Sequence, residues 1–448
     1  MPRRGGGVNA NRPCGKTESG TGTGTHAGTD RTPAAPAARV FPVFSVPLPT
    51  PVPVPGVAPV PRAATIPRMA KHHDVAVIGG GIIGLTCAYA LAKAGLSVAV
   101  FDRGDLGREA SWAGAGILPP GNPDRAATPI DTLRAIGAAR FPYFSAELGE
   151  LTRLDNGYFR CGGIEFLPPD EAAEVLPLWE AEGIAFEKLS REALREIEPA
   201  LGEVPGDPYL LPACAQVRNP RHLAALVAAC ERVGVTLRPN TGVDLITADP
   251  RRLTVAAGVV SGNEACPAGR VLVAAGPWSE RFLTAGGRGP GVRPVRGQIA
   301  LLKPAGRVTT RVLMIGKRYL VPRLDNQVLV GSTEEPEAGF EKANTAAGVA
   351  DLIALATRTI PALASAELVK CWSGLRPGSP DGLPFIGPVP GWDNVYVATG
   401  HFRAGVQLSL GTAQLVTEMF TGRPTCVPAD AFAVTRTPHS GGKPAFRS

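Results

Sequence analysis

Apolar residues along the chain follow two different periods. Val75 to Ile78 is a continuous apolar run, glycines occupy 79–81, and an apolar-periodic stretch from Ile82 to Ala94 closes on Gly95 before a second run, Ser97 to Phe101. This reads as strand, tight turn, glycine-stopped helix and strand, a βαβ unit at the front of the ordered chain. Helical spacing recurs over Pro129–Leu151, Asp170–Glu182, a segment capped by Ser190, Pro220–Val233, Ala346–Thr357 and Val406–Phe420. Strands are predicted near Thr236, over Val243–Thr247, near Leu368–Trp372 and over Val395–Ala398. Arg270–Ala275 is nearly all apolar and precedes Gly276, the pattern of a strand buried on both faces of a parallel sheet. From Val295 to Thr333 the pattern shortens to Gln298–Leu302, Arg318–Val321 and, after the Asp325-Asn326 turn, Val328–Gly331. Turn-bounded strands of this kind predict an antiparallel sheet.

The interleaving predicts an α/β protein with a discontinuous Rossmann-type domain and an inserted α+β substrate domain built on the antiparallel sheet. The boundaries expected are 69–158, 213–294 and 370–425 for the first domain, 159–212 and 295–369 for the second, and a flexible tail over 426–448. Residues 1–68 mix Gly/Thr repeats with a Pro-Val run that forms extended polyproline but no core, so they are expected to be disordered. They are Arg-rich and poor in acids, as organellar targeting segments are, yet lack an amphipathic helical period. The simplest reading is that Met69 is the true start and that 1–68 is a spurious extension.

Charge does not change the picture once it is located. The formal net charge of +7 comes from the ends, with net +6 over residues 1–68 and net +3 over 431–448, leaving the body at −2. A basic isoelectric point confined to tails implies no nucleic-acid face. The eight cysteines are scattered without a CxxC pair or clustered Cys/His spacing, so no metal site is predicted and reduced thiols in a cytoplasmic enzyme are expected. No apolar stretch is long enough to span a membrane.

Candidate chemistry starts at the first turn. Gly79, Gly81 and Gly84 form G-x-G-x-x-G between strand and helix, where they permit a tight turn, close approach of backbone to a pyrophosphate and close helix packing. The helix N-terminus presents free N–H groups and the positive end of its dipole to the phosphates. Asp102 ends the second strand at the distance expected of a ribose ligand, and its carboxylate repels a 2′-phosphate. FAD or NAD is therefore favoured over NADP, and the fingerprint does not choose between those two.

Four further segments resemble the D-amino-acid oxidase superfamily, and within it the glycine oxidases: EASWAGAGIL (109–118), RVLVAAGPWS (270–279), CWSGLRPGSPDGLPFIG (371–387) and TGHFRAGVQLSL (399–410). With the fingerprint and the pair RYLVPR (318–323) and VLVGST (328–333), the match spans most of 74–421. The resemblance implies non-covalent FAD, touched by Gly79, Gly81, Ile82, Ile83, Gly84, Asp102 and Arg103. It places the first segment, through Ser111, Ala113, Gly114, Ala115, Gly116 and Ile117, against the flavin, and adds Val243, Ala275, Gly276, Trp278 and Gly297 to the residues that bind the cofactor. His401, Ala404, Gly405 and Val406 would face the flavin's pyrimidine edge, where a helix end stabilises the charge that develops on reduction.

For the substrate the resemblance implies Arg376, in GLRPG, as the bidentate anchor of an amino acid's carboxylate, and Tyr319 as a second donor to it. Arg403 resembles a further active-site arginine, with an orienting role for its loop as the alternative. Arg376 and Arg403 also border the cofactor. His401 is expected to make a structural hydrogen bond, and no side-chain base is required. Related sarcosine oxidases attach flavin through a cysteine near the position of Gly374; here the nearest is Cys371, so the link is not expected. The implied reaction is oxidative deamination of glycine, sarcosine or a small D-amino acid, with dioxygen as acceptor, in thiamine biosynthesis. The alternatives are a D-amino-acid dehydrogenase that reduces a quinone, an FAD-binding protein without turnover and, less well supported, an NAD-dependent dehydrogenase. A homo-oligomer is possible on this reading.

Overall fold

A computed structural model describes residues 72–283 and 289–437. The expectations for residues 1–68 and for the end of the tail lie outside the described residues.

The first sheet follows the order β17 (Phe385–Pro388), β18 (Val395–Thr399), β11 (Glu264–Val273), β1 (His73–Ile78), β2 (Val98–Phe101) and β8 (Thr236–Arg238). From β18 to β8 every pairing is parallel; β17 adds an antiparallel edge. Alternation divides its side chains between two cores. Val75, Val77, Val98 and Val100 meet α1 (Ile82–Lys93), α3 (Pro129–Thr152), α6 (Asn219–Arg232) and α9 (Gly405–Thr421). Ala76, Ile78, Ala99 and Phe101 pack on the other side, beneath an antiparallel extension of β9 (Leu245–Asp249) and β10 (Arg252–Ser261). Each fully buried Val or Leu contributes about 1.5–3 kcal/mol, so both faces are needed to hold the sheet flat against its layers.

The second sheet runs β16 (Glu367–Gly378), β12 (Arg293–Lys303), β15 (Val328–Gly331), β14 (Arg318–Pro322), β13 (Val312–Ile315), β4 (Gly163–Leu167), β6 (Asp207–Leu211) and β5 (Glu187–Lys188). One face packs on α8 (Ala346–Thr359) and α5 (Arg191–Ile197) through Ala300, Leu302, Leu320 and Val330. The other carries Ile299, Tyr319 and Met314 and is flanked by Trp179 of α4 (Pro169–Glu182). A short pair, β3 (Ile117–Leu118) with β7 (Ala215–Gln216), and two single-turn helices, α2 (Ala110–Ala113) and α7 (Glu280–Leu283), complete the elements.

Several expectations are corrected. Residues 370–378, assigned to the first domain, belong to β16 and pair along β12 in the second sheet. The strand expected at Arg270–Ala275 begins six residues earlier, at Glu264, and the one expected at Val243 begins at Leu245. The tail is not loose over 426–437: Val427 and Phe432 are buried in the helical core, and Arg436 forms a buried ion pair with Asp381 at 2.7 Å. Among the described residues no helix is long and apolar enough to cross a membrane, and the seven described cysteines are free thiols.

Candidate active site

A cavity of about 320 Å³ separates the ends of the first sheet's strands from the open face of the second. At the first sheet the chain reverses at Gly79, whose φ of +109° favours glycine and where a Cβ would stand 2.4 Å from the Ala274 carbonyl oxygen. Gly84 lies underneath, since a Cβ there would meet the Gly79 carbonyl oxygen at 1.9 Å; it packs helix on strand and does not line the cavity. Gly79, Gly81, Ile82 and Ile83 do line it. Gly81 caps α1 without a side chain, and the Ser111 hydroxyl accepts from the Ile82 N–H at 2.9 Å.

Asp102 holds this turn. Its carboxylate accepts from Gly80 N at 2.7 Å and Gly104 N at 2.9 Å, while burial raises its pKa against those bonds. A carboxylate offers about four lone-pair directions, so two remain for hydroxyl donors from the cavity. Arg103 stacks on Trp278, 3.8 Å from the ring centroid, at the end lined also by Val243, Ala275 and Gly276. A helix start whose cap residue carries no side chain, a close backbone approach and a carboxylate with spare acceptor sites fit a dinucleotide.

The segment after β2 is fixed by its carbonyls. Ser111 O accepts from Asn219 Nδ2 (2.7 Å), Ala113 O from Trp372 Nε1 (3.1 Å), Ala115 O from Arg323 Nη2 (2.8 Å) and Gly116 O from Val217 N (2.8 Å). Four elements thus hold the stretch Ser111–Gly116, which lines the cavity through Ala113, Gly114 and Ala115, with Ile117 following. Arg323 is buried and burial lowers its pKa to about 10, yet its Nη1 also donates, to Gln216 Oε1 and Val217 O. Arg323, Asn219 and Trp372 were not identified from sequence. They lie 108 to 259 residues from the carbonyls they hold, and no spacing signals such a contact.

Register builds the opposite wall. Tyr209, Glu165, Met314, Tyr319, Gly331, Ile299 and Trp372 pair in one continuous row across the second sheet, so their side chains share the cavity face. Four residues along β16 from Trp372, Arg376 extends over Gly297, where a Cβ would stand 2.2 Å from its guanidinium nitrogens. Gly331 leaves equivalent room for the Tyr319 ring. Arg376 donates to Ser332 Oγ at 2.6 Å and Thr333 O at 3.3 Å; burial lowers its pKa, opposed by the neighbouring Tyr319 hydroxyl. Among the described residues no carboxylate lies within ion-pair distance of it. Glu165, buried at the far end of the row, is a lining residue that sequence reasoning missed, because only the pairing of β4 with β13 brings it there.

Arg403 lines the same cavity but is engaged. It pairs with Glu334 and donates to Lys317 O at 3.1 Å, which ties the loop before α9 to the β13–β14 turn. His401 is buried, bonds Thr412 Oγ1 at 3.0 Å and has its pKa lowered to about 3 by burial, so it stays neutral. Ala404, Gly405 and Val406 line the cavity where α9 begins, without a side-chain cap. Cys371 packs with the α8 face of β16, on the side away from the cavity, and among the described residues no cysteine lines the cavity. Among the described residues no cluster of His, Cys, Asp or Glu forms a metal site.

Comparison with known proteins agrees with this arrangement. The family model for FAD dependent oxidoreductases (DAO) matches residues 74–419. Glycine oxidase of Pseudomonas putida is 36% identical over 349 residues, covering 78% of this chain and 94% of that one. A bifunctional protein ThiO/ThiG of Synechocystis is 32% identical over 82% of this chain and 54% of its own length. The crystal structure of glycine oxidase from Geobacillus kaustophilus superposes with a TM-score of 0.76 at 31% identity, over 83% of this chain and all of that one. A dinucleotide cradle facing an arginine-bearing sheet, in a chain that covers 94% of a glycine oxidase and all of a second one's structure, makes this an FAD-dependent amino-acid oxidase of the glycine oxidase family.

Proposed function

We propose that the chain oxidises glycine, or an amino acid nearly as small, to the 2-oxo acid, with release of ammonia and hydrogen peroxide. The observation that carries this reading is Arg376. A buried guanidinium with a hydroxyl, a phenol and a carbonyl around it, and Glu335 near but beyond ion-pair distance, is costly unless an anion arrives. A free amino acid supplies that anion, and the planar fork matches its carboxylate.

Arg376 then sets the position of the α-carbon, with the Tyr319 hydroxyl as a second donor to the carboxylate. FAD, when bound, would supply the acceptor for the α-hydride and the means of reducing dioxygen. The residues that would hold it are the Gly79–Ile83 turn, Asp102, Ala113–Ile117 and the start of α9, whose N–H groups oppose charge gained on reduction. No residue is asked to remove a proton: His401 is neutral and committed to Thr412, and an amine bound in its neutral form drives hydride loss without a base. The Glu334 pair keeps Arg403 from competing for the carboxylate, so Arg403 acts on the loop.

Relatives named ThiO/ThiG support a place in thiamine synthesis, where the imine formed from glycine would be consumed. Free thiols throughout the described chain favour a reducing compartment, the cytoplasm. Association into a homo-oligomer is part of the same proposal.

A panel of small amino acids assayed for peroxide, beside the visible spectrum of the purified protein, tests the reading. Glycine should give peroxide under air and bleach the flavin without air. Bleaching without peroxide points to a quinone acceptor, and a yellow protein that no amino acid bleaches removes the oxidase reading.

A further inference from the structure

After β15 the chain leaves the second sheet and crosses to residues that line the dinucleotide end of the cavity. Phe340 lies on Trp278 with ring centroids 5.5 Å apart and planes tilted by 33°. Trp278 carries the Arg103 guanidinium against its ring, 3.8 Å from the centroid. Two residues beyond Phe340, Lys342 Nζ contacts Glu109 Oε2 at 2.8 Å, and Glu109 Oε1 lies 3.5 Å from Arg103 Nη2. Phe340 and Lys342 of the second-sheet segment thereby close a ring of contacts on Trp278, Arg103 and Glu109.

The strap is anchored at its root. Glu335 accepts from Arg296 Nη2 at 2.6 Å and from Gln298 Nε2 at 2.7 Å, and Arg296 Nη1 donates to Glu341 O at 3.3 Å. The Thr333 hydroxyl also donates to Glu335, and Thr333 O is the acceptor that Arg376 uses. The anchor of the strap and the surroundings of the guanidinium are therefore one bonded unit. Phe340 nevertheless stays 53% exposed, so burial in a core does not account for its position.

We propose that Phe340 and Lys342 are positioning residues for the cofactor: they hold Trp278 and Arg103 in place as the outer wall of the dinucleotide end and so retard release of FAD. The inference rests on FAD occupying that end, as the family membership requires. An aromatic pair is worth about a tenfold change in an equilibrium when lost, and a half-exposed ion pair about threefold. Phe340 should dominate, and the Lys342 contribution should fade with salt as the Debye length shortens.

The test is the rate of FAD release from holoenzyme, followed by the return of flavin fluorescence after dilution into flavin-free buffer. Phe340→Ala should release about tenfold faster and Lys342→Ala about threefold faster at low salt. Phe340→Tyr, which keeps the ring contact, should release at the parental rate. The KM for glycine of freshly loaded Phe340→Ala should stay within about twofold of the parent, because Arg376 is untouched. Release at the parental rate from Phe340→Ala overturns the proposal, and so does equal acceleration by the Ala and Tyr variants. A Phe340→Ala apoprotein that unfolds at lower temperature than parental apoprotein also overturns it, since the effect is then on the fold. A parental protein that purifies without flavin defeats the functional reading itself; a yellow parent with unaltered variants defeats this inference alone.

Discussion

Arg376 and Gly297 form a pair in which one residue supplies charge and the other supplies room. Arg376→Ala removes one partner of a charge pair formed with substrate and should weaken glycine capture by about 2–5 kcal/mol in kcat/KM, with the flavin spectrum retained. Turnover at the parental level would remove Arg376 from the anchor role. Gly297→Ala tests the same geometry from the other side: its methyl would meet the guanidinium at 2.2 Å, and the far end of a side chain yields more readily than backbone. It should therefore impair glycine oxidation while leaving thermal unfolding of the protein near the parental value. Arg376 and Tyr319 line the cavity, and they were singled out beforehand because GLRPG and RYLVPR resemble segments of the family. Glu165, Ser332 and Arg323 were not, because an ordinary strand residue becomes a site residue only through its register with another strand. Arg403 was legible as a site arginine, but its pairing with Glu334 depended on a loop path no local pattern encodes.

At the scale of elements, the helices followed their periodicity closely. The expected Pro129–Leu151, Asp170–Glu182 and Ala346–Thr357 differ from α3, α4 and α8 by one or two residues at the ends. Strands fared unevenly. β4, β6, β13 and β17, each four or five residues long, went unnoticed, since short strands are decided by the neighbours they pair with. The start of β11 was hidden by Pro267, which reads as a strand breaker and is accommodated opposite Gly258 in the antiparallel extension. β16 continues past Trp372 although SGLRPG resembles a turn; Gly374 and Gly297 face each other across the ladder, and the room they leave is taken by Ala113 and Arg376. Helix crossing matters as much as helix formation. Where α3 meets α9, a Cβ at Gly411 would lie 2.4 Å from Leu133 O and one at Gly137 would lie 1.9 Å from Gln407 O. Gly411→Ala therefore must push backbone apart, at a cost of about 1–3 kcal/mol. Because α9 starts at the cavity, the expected result is a lower unfolding midpoint together with weaker FAD retention; an unchanged midpoint contradicts the close crossing.

For the molecule as a whole, acid sensitivity should begin well above the carboxylate range. His401 and His222 are both buried, and burial lowers their pKa values to about 3 and about 4. Both folded values lie below the unfolded value of about 6.5, so the unfolded chain takes up protons that the folded chain refuses. Stability is complete above pH 6.5 and declines as pH falls from there toward 4, by about 1.4 kcal/mol per pH unit for each histidine. Carboxylates held low by partners, such as Asp381 beside Arg436, add their loss only below about pH 4. Urea midpoints at pH 7 and pH 5 check this, and equal midpoints would contradict neutral buried histidines. The two-sheet architecture and its discontinuous first part were legible from the order of runs and turns. The sharing of β16 with the second sheet was not, because nothing local distinguishes which of two sheets a strand will join.

Phe432 and Arg436 give the stretch after the last helix a role that its sequence conceals. Asp381 sits in the interior and relies on a cation delivered from 55 positions downstream, so the two ends of this segment are fastened to each other. Cutting the protein back to residue 425 would strand that carboxylate and empty the place of an aromatic ring. The first loss alone costs about 3–5 kcal/mol, so the shortened protein should emerge insoluble or readily digested by protease. The durability of the fold would then rest on a stretch that lines no part of the cavity.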